Sequence, residues 1–131
     1  MMAATDSFKG FKYINVTTFR KNGEEVPTPV WFVALEDKLY TFTGATSGKV
    51  KRIRANGRVK VAPSDVRGKP LAGFVPVHAR FVEDEALQAQ VTALYLKKYG
   101  LAYRLMTWSS RLRGAPDETV FLEFSFDQIE G

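Results

Sequence analysis

Six basic residues, Lys49, Lys51, Arg52, Arg54, Arg58 and Lys60, stand between Gly44 and Ser64 with no acidic residue among them. The whole chain carries 19 Lys+Arg against 14 Asp+Glu, a formal net charge of +5. Without these six, the basic residues fall one short of the acidic ones, so the excess is a local patch. A patch of that kind usually has an anionic partner. Its leading end has the residue types of a phosphate seat. Gly44, Ala45 and Thr46 make a loop with little side-chain bulk, and Ser47 is a good N-cap for the helical run that follows. The first N–H groups of a helix lack internal acceptors, and the helix dipole adds partial positive charge there. Gly48 permits close approach to the backbone, and Lys49 adds a full charge in the first turn. On a helical wheel Val50 and Ile53 share the inward stripe, flanked by Lys49 and Arg52 on one side and Lys51 and Arg54 on the other. A solvated helix whose apolar side packs on a sheet is the alternative reading, and composition leaves both open.

Other reactive chemistry is sparse. His78 is the only histidine, with no HExxH and no nucleophile elbow near it, so neither a zinc site nor a Ser-His-Asp triad is supported. The absence of cysteine excludes disulfides, thiolate metal sites and cysteine nucleophiles. Glu24-Glu25, Glu36-Asp37 and Glu83-Asp84-Glu85 fall at turns or helix starts, where solvation or capping accounts for them. There is no GxGxxG, and GATSGKV lacks the spacing of GxxxxGK[ST]. No catalytic residue and no metal ligand is assigned. What remains is an anion seat with apolar walls from Trp31, Phe32, Tyr40 and Phe42. That combination suits an enzyme whose cofactor does the hard chemistry.

The elements that must position these residues can be read in order. The 131 residues point to one domain, 1–131, small enough that a ligand pocket could need a second subunit. A helical turn is expected between Thr5 and Phe11, then a strand over Tyr13–Arg20 and an Asn22-Gly23 hairpin. Val26–Leu35 reads as one strand, and Pro27 and Pro29 put its first half at an edge or a bulge. Glu36-Asp37 turns the chain back into Lys38–Thr43. The basic helix Ser47–Ala55 and the strand Arg58–Ser64 follow, then turn chemistry to Pro70 and a strand over Gly73–Val82. Asp84 caps a helix to Tyr99 with Leu87, Val91, Leu94 and Tyr95 inward, and Gly100 ends it. A shorter helix over Leu101–Leu112 and a strand over Asp117–Phe126 complete the chain. About six strands with helices inserted late imply a mainly β fold, a small antiparallel barrel. The helix of about nine residues is too short for a parallel crossover. No run approaches a membrane span in length, so a cytoplasmic protein is expected.

The blocks YINVTTFRKNGEEVPTPVWFVALEDKLYTFTGATSGKVKRIRANGRVKVAP and SDVRGKP, with the weaker tail KYGLAYRLMTWSSRLRG, carry a family likeness. The chain resembles the pyridoxamine 5'-phosphate oxidase-like superfamily of split β-barrels, and within it the short deazaflavin (coenzyme F-420)-dependent reductases. The resemblance implies a split antiparallel barrel and a homodimer that holds FMN or a deazaflavin in a cleft between subunits. It implies that Val30, Trp31, Phe32, Thr41 and Thr43 line the cleft, while Thr46, Ser47, Gly48 and Lys49 hold a phosphate. Lys51, Arg52 and Arg58 would extend the positive field. Where the oxidases read Ser-Arg-Lys before the helix, this chain has Gly48 in place of the arginine. It also has Pro29 where they carry an arginine, and Asn56-Gly57 where close relatives have Asn-Pro. These departures point away from pyridoxamine phosphate as substrate. The implied activity is hydride transfer between the cofactor and a small conjugated substrate. A cofactor carrier without turnover is the alternative. A nucleic-acid module is a third reading, disfavoured because no aromatic stacking platform is expected beside the cations.

Overall fold

The structure, a computed structural model, describes residues 4–45, 47–105 and 119–126. Seven strands build one antiparallel sheet: β1 (Tyr13–Phe19), β2 (Glu25–Trp31), β3 (Val33–Leu35), β4 (Lys38–Gly44), β5 (Arg58–Ser64), β6 (Val75–Val82) and β7 (Thr119–Phe126). Helix α1 (Gly48–Ala55) joins β4 to β5, and α2 (Glu85–Tyr99) follows β6. A 3-10 turn at Ala4–Phe8 precedes the sheet, and residues 101–105 are helical again. The rest of the expected Leu101–Leu112 helix, and residues 117–118 of the expected last strand, lie outside the described residues. Among the described residues, no helix is long and apolar enough to cross a membrane.

The strand order is β2-β1-β5-β6-β7-β4-β3, so β2 and β3 are the two edges of the sheet. In the chain only Phe32 separates them. One residue spans at most about 3.6 Å, so the sheet must curl until its edges meet, and that closes the barrel. The run Val26–Leu35, expected as one strand, is therefore two, and the strands number seven rather than about six. It leaves one partner, β1, and takes up another, β4, while the Phe32 side chain turns into the core. β2 is the edge its prolines require. Pro27 and Pro29 stand opposite Thr17 and Asn15, and their equal parity puts both missing N–H groups on the unpaired side. At Glu36 and Asp37, φ is +50° and +63°, a primed hairpin turn made without glycine. Thr5 steadies it, its N–H and hydroxyl donating to Asp37 Oδ1 at 3.0 and 3.3 Å.

Alternation along the strands sorts the apolar residues into two clusters. Ile14, Val16, Leu39, Val59, Val61, Val77, Leu122 and Phe124 fill the barrel with Phe8, Phe32 and Ile53. On the outer face, α2 lays Val91 and Tyr95 over Val33, Tyr40 and Val82. Asp84 caps α2 by accepting from the Ala86 N–H at 3.2 Å, and Gly100 ends it at φ +55°.

The seam between β2 and β3 needs partners that no strand supplies, and α2 supplies them. Trp31 O accepts from Thr41 Oγ1 at 2.8 Å and from the Tyr95 hydroxyl at 2.9 Å. The Phe32 N–H donates to the Tyr99 hydroxyl at 2.9 Å. Phe32 O lies 2.7 Å from that hydroxyl and accepts from Lys98 Nζ at 2.9 Å. The Tyr99 oxygen is also 2.7 Å from Lys12 O. Its single proton serves one carbonyl at a time, so Lys98 holds Phe32 O when Tyr99 donates to Lys12. Trp31 stacks on Tyr99 with centroids 4.4 Å apart.

Burial pulls the Lys98 ammonium down to about 8 from 10.5. In folded protein the charged form is therefore disfavoured relative to the unfolded chain. The cost is full below pH 8 and is relieved as pH rises toward 10.5, so stability rises across that window. The half-exposed stem and solvent screening keep the effect modest. A Lys98 methyl resonance, followed by NMR in reductively 13C-methylated protein, is expected to titrate near pH 8. Lys98→Met should lose the stability slope. A midpoint near 10.5 would show that the contacts with Phe32 cancel the desolvation.

Candidate functional site

Helix α1 forms as its residues dictate. Ser47 Oγ accepts from the Val50 N–H at 3.3 Å, and Val50 and Ile53 are buried. At the far end, the Asn56 N–H returns to Arg52 O at 3.0 Å. The structure corrects the helical wheel at Lys49. Expected on the flank, this residue is only 7% exposed, and its Nζ lies 3.5 Å from Thr43 Oγ1. The cause is tertiary: α1 packs against β1, and the Lys49 side chain runs toward Thr43 at the end of β4. Burial lowers the Lys49 pKa, and the neighbouring charge of Arg52 lowers it further.

Arg52 reaches the same end of the helix. Its Nε donates to the buried Thr18 hydroxyl at 2.6 Å. Its guanidinium lies across Gly48, where an added Cβ would meet Nη1 at 2.9 Å. Glycine at 48 thus leaves room for this guanidinium. Lys49 and Arg52 converge beside the first N–H groups of α1, and neither is paired with a carboxylate among the described residues. A buried, unpaired cation is costly, and an anion relieves it.

A cavity of about 160 Å³ opens at the seam, lined by Val30, Trp31, Thr41, Phe42 and Tyr95. Thr41 and Thr43 lie two residues apart on one side of β4, about 7 Å. The apolar cavity and the cation seat therefore adjoin along one strand. Behind the cavity, Tyr95 meets Phe42 edge-on at 4.8 Å and stacks against Tyr99 at 5.4 Å. Burial raises the Tyr95 phenol well above its ordinary value, so it stays neutral.

The expected site residues divide as follows. Val30, Trp31 and Thr41 line the cavity, whereas Phe32 is 1% exposed and packs in the barrel core. Thr43, Ser47, Gly48, Lys49 and Arg52 gather at the seat, and Lys51 is exposed on α1. Thr46 lies outside the described residues. Arg58 follows the other end of α1 and lines a different groove with Lys60 and His78. The basic patch is thus two groups of cations. Aromatic rings do lie beside it, with Arg54 over Phe81 at 4.5 Å, Arg58 over Phe19 at 5.5 Å and Lys60 over Phe74 at 4.6 Å.

Thr18 and Tyr95 joined the site without being expected there. Each left a signal. Thr18 is a polar residue on the core-facing parity of Ile14 and Val16, and Tyr95 puts a phenol in the apolar stripe of α2.

Glu123, the deeply buried carboxylate on β7, has a structural explanation. Arg80 grips it through Nε and Nη2 at 3.0 and 2.9 Å, and the Tyr40 hydroxyl donates at 2.9 Å. Burial alone would raise its pKa, but the bonds from Arg80 and Tyr40 and the charges of Arg80 and Lys38 leave it lowered. Tyr40 is pushed up to about 12 by burial and by this carboxylate. Among the described residues, no group of three or more His, Asp or Glu could hold a metal ion.

The family model for pyridoxamine 5'-phosphate oxidase matches residues 2–131. The chain belongs to this family. Among curated proteins, none matches the sequence. Solved structures share the fold of this pyridoxamine 5'-phosphate oxidase family member. The heme storage protein HutZ of Vibrio cholerae is 13% identical, with 98% of this chain and 93% of HutZ covered and a TM-score of 0.69. A conserved hypothetical protein of Mycobacterium tuberculosis is 16% identical, with coverage of 98% and 82% and a TM-score of 0.66. A FAD-binding protein of Mesorhizobium loti is 17% identical, with coverage of 95% and 85% and a TM-score of 0.61. At these identities the likeness is one of fold.

Proposed function

We propose that this pyridoxamine 5'-phosphate oxidase family member is a homodimeric oxidoreductase that binds FMN or a deazaflavin (coenzyme F-420) and acts on a small conjugated substrate. The observation that carries the reading is the pair of buried Lys49 and half-buried Arg52, with no carboxylate partner among the described residues, set beside an apolar cavity along β4. A flat ring with a phosphate-bearing tail has that shape and charge. When bound, the ring would supply the hydride chemistry. The chain's part is to seat the phosphate on Ser47, Gly48 and Lys49, and to hold the ring against Val30, Trp31 and Thr41. Arg52, with Lys51 at the rim, favours the longer anionic tail of the deazaflavin over the single phosphate of FMN.

The cavity of about 160 Å³ falls short of the roughly 300–1,000 Å³ of ordinary ligand pockets. A tricyclic ring needs another wall, and a second copy of the chain supplies it in this reading. The heme-storage relative suggests a different ligand, yet His78, the single histidine, lies in another groove.

One observation favours the carrier as a second reading. None of the residues lining the cavity titrates near neutrality, so no proton donor is at hand. An absorbance spectrum of the purified protein from roughly 260 to 500 nm is expected to show a bound flavin or deazaflavin. Light scattering with cofactor present should give twice the chain mass. A monomer that takes up neither cofactor would end the proposal. A loaded dimer that never reoxidises with added unsaturated acceptors would leave the carrier.

A further inference from the structure

The outer face of β5 and β6 holds a groove of about 270 Å³ that the cofactor reading does not use. Phe19, Arg58, Lys60, Phe74, Pro76 and His78 line it. It shares no residue with the seam cavity, and Arg58 follows the end of α1 opposite to Lys49. Two phenyl rings form walls, each with a cation over it: Arg58 over Phe19 and Lys60 over Phe74. Lys60 is already matched, its Nζ 2.7 Å from Glu25 Oε2. Arg58 is paired with no carboxylate among the described residues and stands directly across from His78 in the sheet. The groove thus offers one uncompensated positive charge, on a group whose planar fork fits a carboxylate. Its volume lies below the roughly 300–1,000 Å³ of drug-sized pockets, which limits the ligand to one or two rings.

We propose that this groove is a second binding site, specific for a one- or two-ring aromatic monocarboxylate. The ring slides between Phe19 and Phe74, and the carboxylate meets the Arg58 guanidinium beside His78. Phe74 is 37% exposed, so part of its ring surface is accessible beside the Lys60 ammonium. Nothing in this assignment depends on the cofactor.

The test is a calorimetric titration of 1-naphthoate into the full chain, with shift mapping of 15N-labelled amides. Saturable binding is expected, with shifts centred on residues 58–60 and 74–78. Arg58→Gln should weaken it by at least tenfold, and so should replacing the ligand with 1-naphthalenemethanol, which keeps the rings and lacks the charge. Lys49→Ala should bind naphthoate as wild type does, whatever becomes of its cofactor. Absence of saturable binding by the wild type would overturn the proposal, as would equal binding by Arg58→Gln. Loss of binding in Lys49→Ala would overturn it too, by placing the ligand in the cofactor seat. If Phe74→Ser breaks a dimer while naphthoate fails to bind, the face belongs to a second copy and the proposal falls.

Discussion

Lys49→Ala is expected to weaken binding of FMN or the deazaflavin by about ten- to a hundredfold. A charge-assisted hydrogen bond to a phosphate contributes roughly 1.5–3 kcal/mol, and each 1.4 kcal/mol is about a decade in affinity. The ammonium is buried, approached among the described residues by Thr43 Oγ1 at 3.5 Å, and repelled by Arg52. It therefore has much to gain from an anion. The same position carries an opposite expectation for the empty protein. Lys49→Met keeps the length of the stem and removes a buried charge that has no carboxylate partner among the described residues, so it should raise the melting temperature of cofactor-free chain while lowering affinity. Titration of both cofactors into wild type and the two variants, beside thermal melts, checks the pair of effects. Equal affinity in Lys49→Ala would move the phosphate elsewhere. A fall in melting temperature in Lys49→Met would mean that the ammonium has a stabilising partner in the folded chain.

Tyr95→Ala should cost about 3–5 kcal/mol, the range for deleting a large buried aromatic. Against a total stability of roughly 5–15 kcal/mol, that can unfold a large share of the protein. The ring is fully buried and touches Phe42, Tyr99 and Tyr103. Its hydroxyl donates to Trp31 O at 2.9 Å and lies 3.3 Å from both Tyr40 O and Thr41 Oγ1. Tyr95→Phe isolates the hydroxyl. It keeps the packing and leaves Trp31 O bonded to Thr41, so the loss should be that of one hydrogen bond, about 0.5–1.5 kcal/mol. Urea unfolding of the three proteins separates packing from the seam bond. If Tyr95→Phe matches wild type, Thr41 is sufficient for the seam and α2 merely covers it.

Much of the site's frame was legible because the signals are local. Ser47 caps α1 and Val50 and Ile53 turn inward, as side-chain chemistry and a 3.6-residue period require. Asp84 and Gly100 bound α2 for the same kind of reason. Pro27 and Pro29 marked an edge or a bulge because a missing N–H cannot serve a ladder, and the structure makes β2 an edge. A helical wheel puts Lys49 in the wrong environment because it ranks residues only relative to one another. The strands packed beside the helix, contributed from outside it, decide its burial.

The sequence by itself determined the alternation that makes antiparallel strands, the turns between them, and a phosphate-type helix start among local cations. Each of these depends on residues within a few positions of one another. Only the tertiary structure decided that a single apolar run splits at Phe32 to serve both edges of the sheet. It also divided the cations, gathering Lys49 and Arg52 with Thr43 and Thr18 while sending Arg58 to the outer groove. Those outcomes depend on pairing between strands far apart in the chain. Register and closure are set by the total of buried apolar surface and satisfied hydrogen bonds, and no short window contains that total.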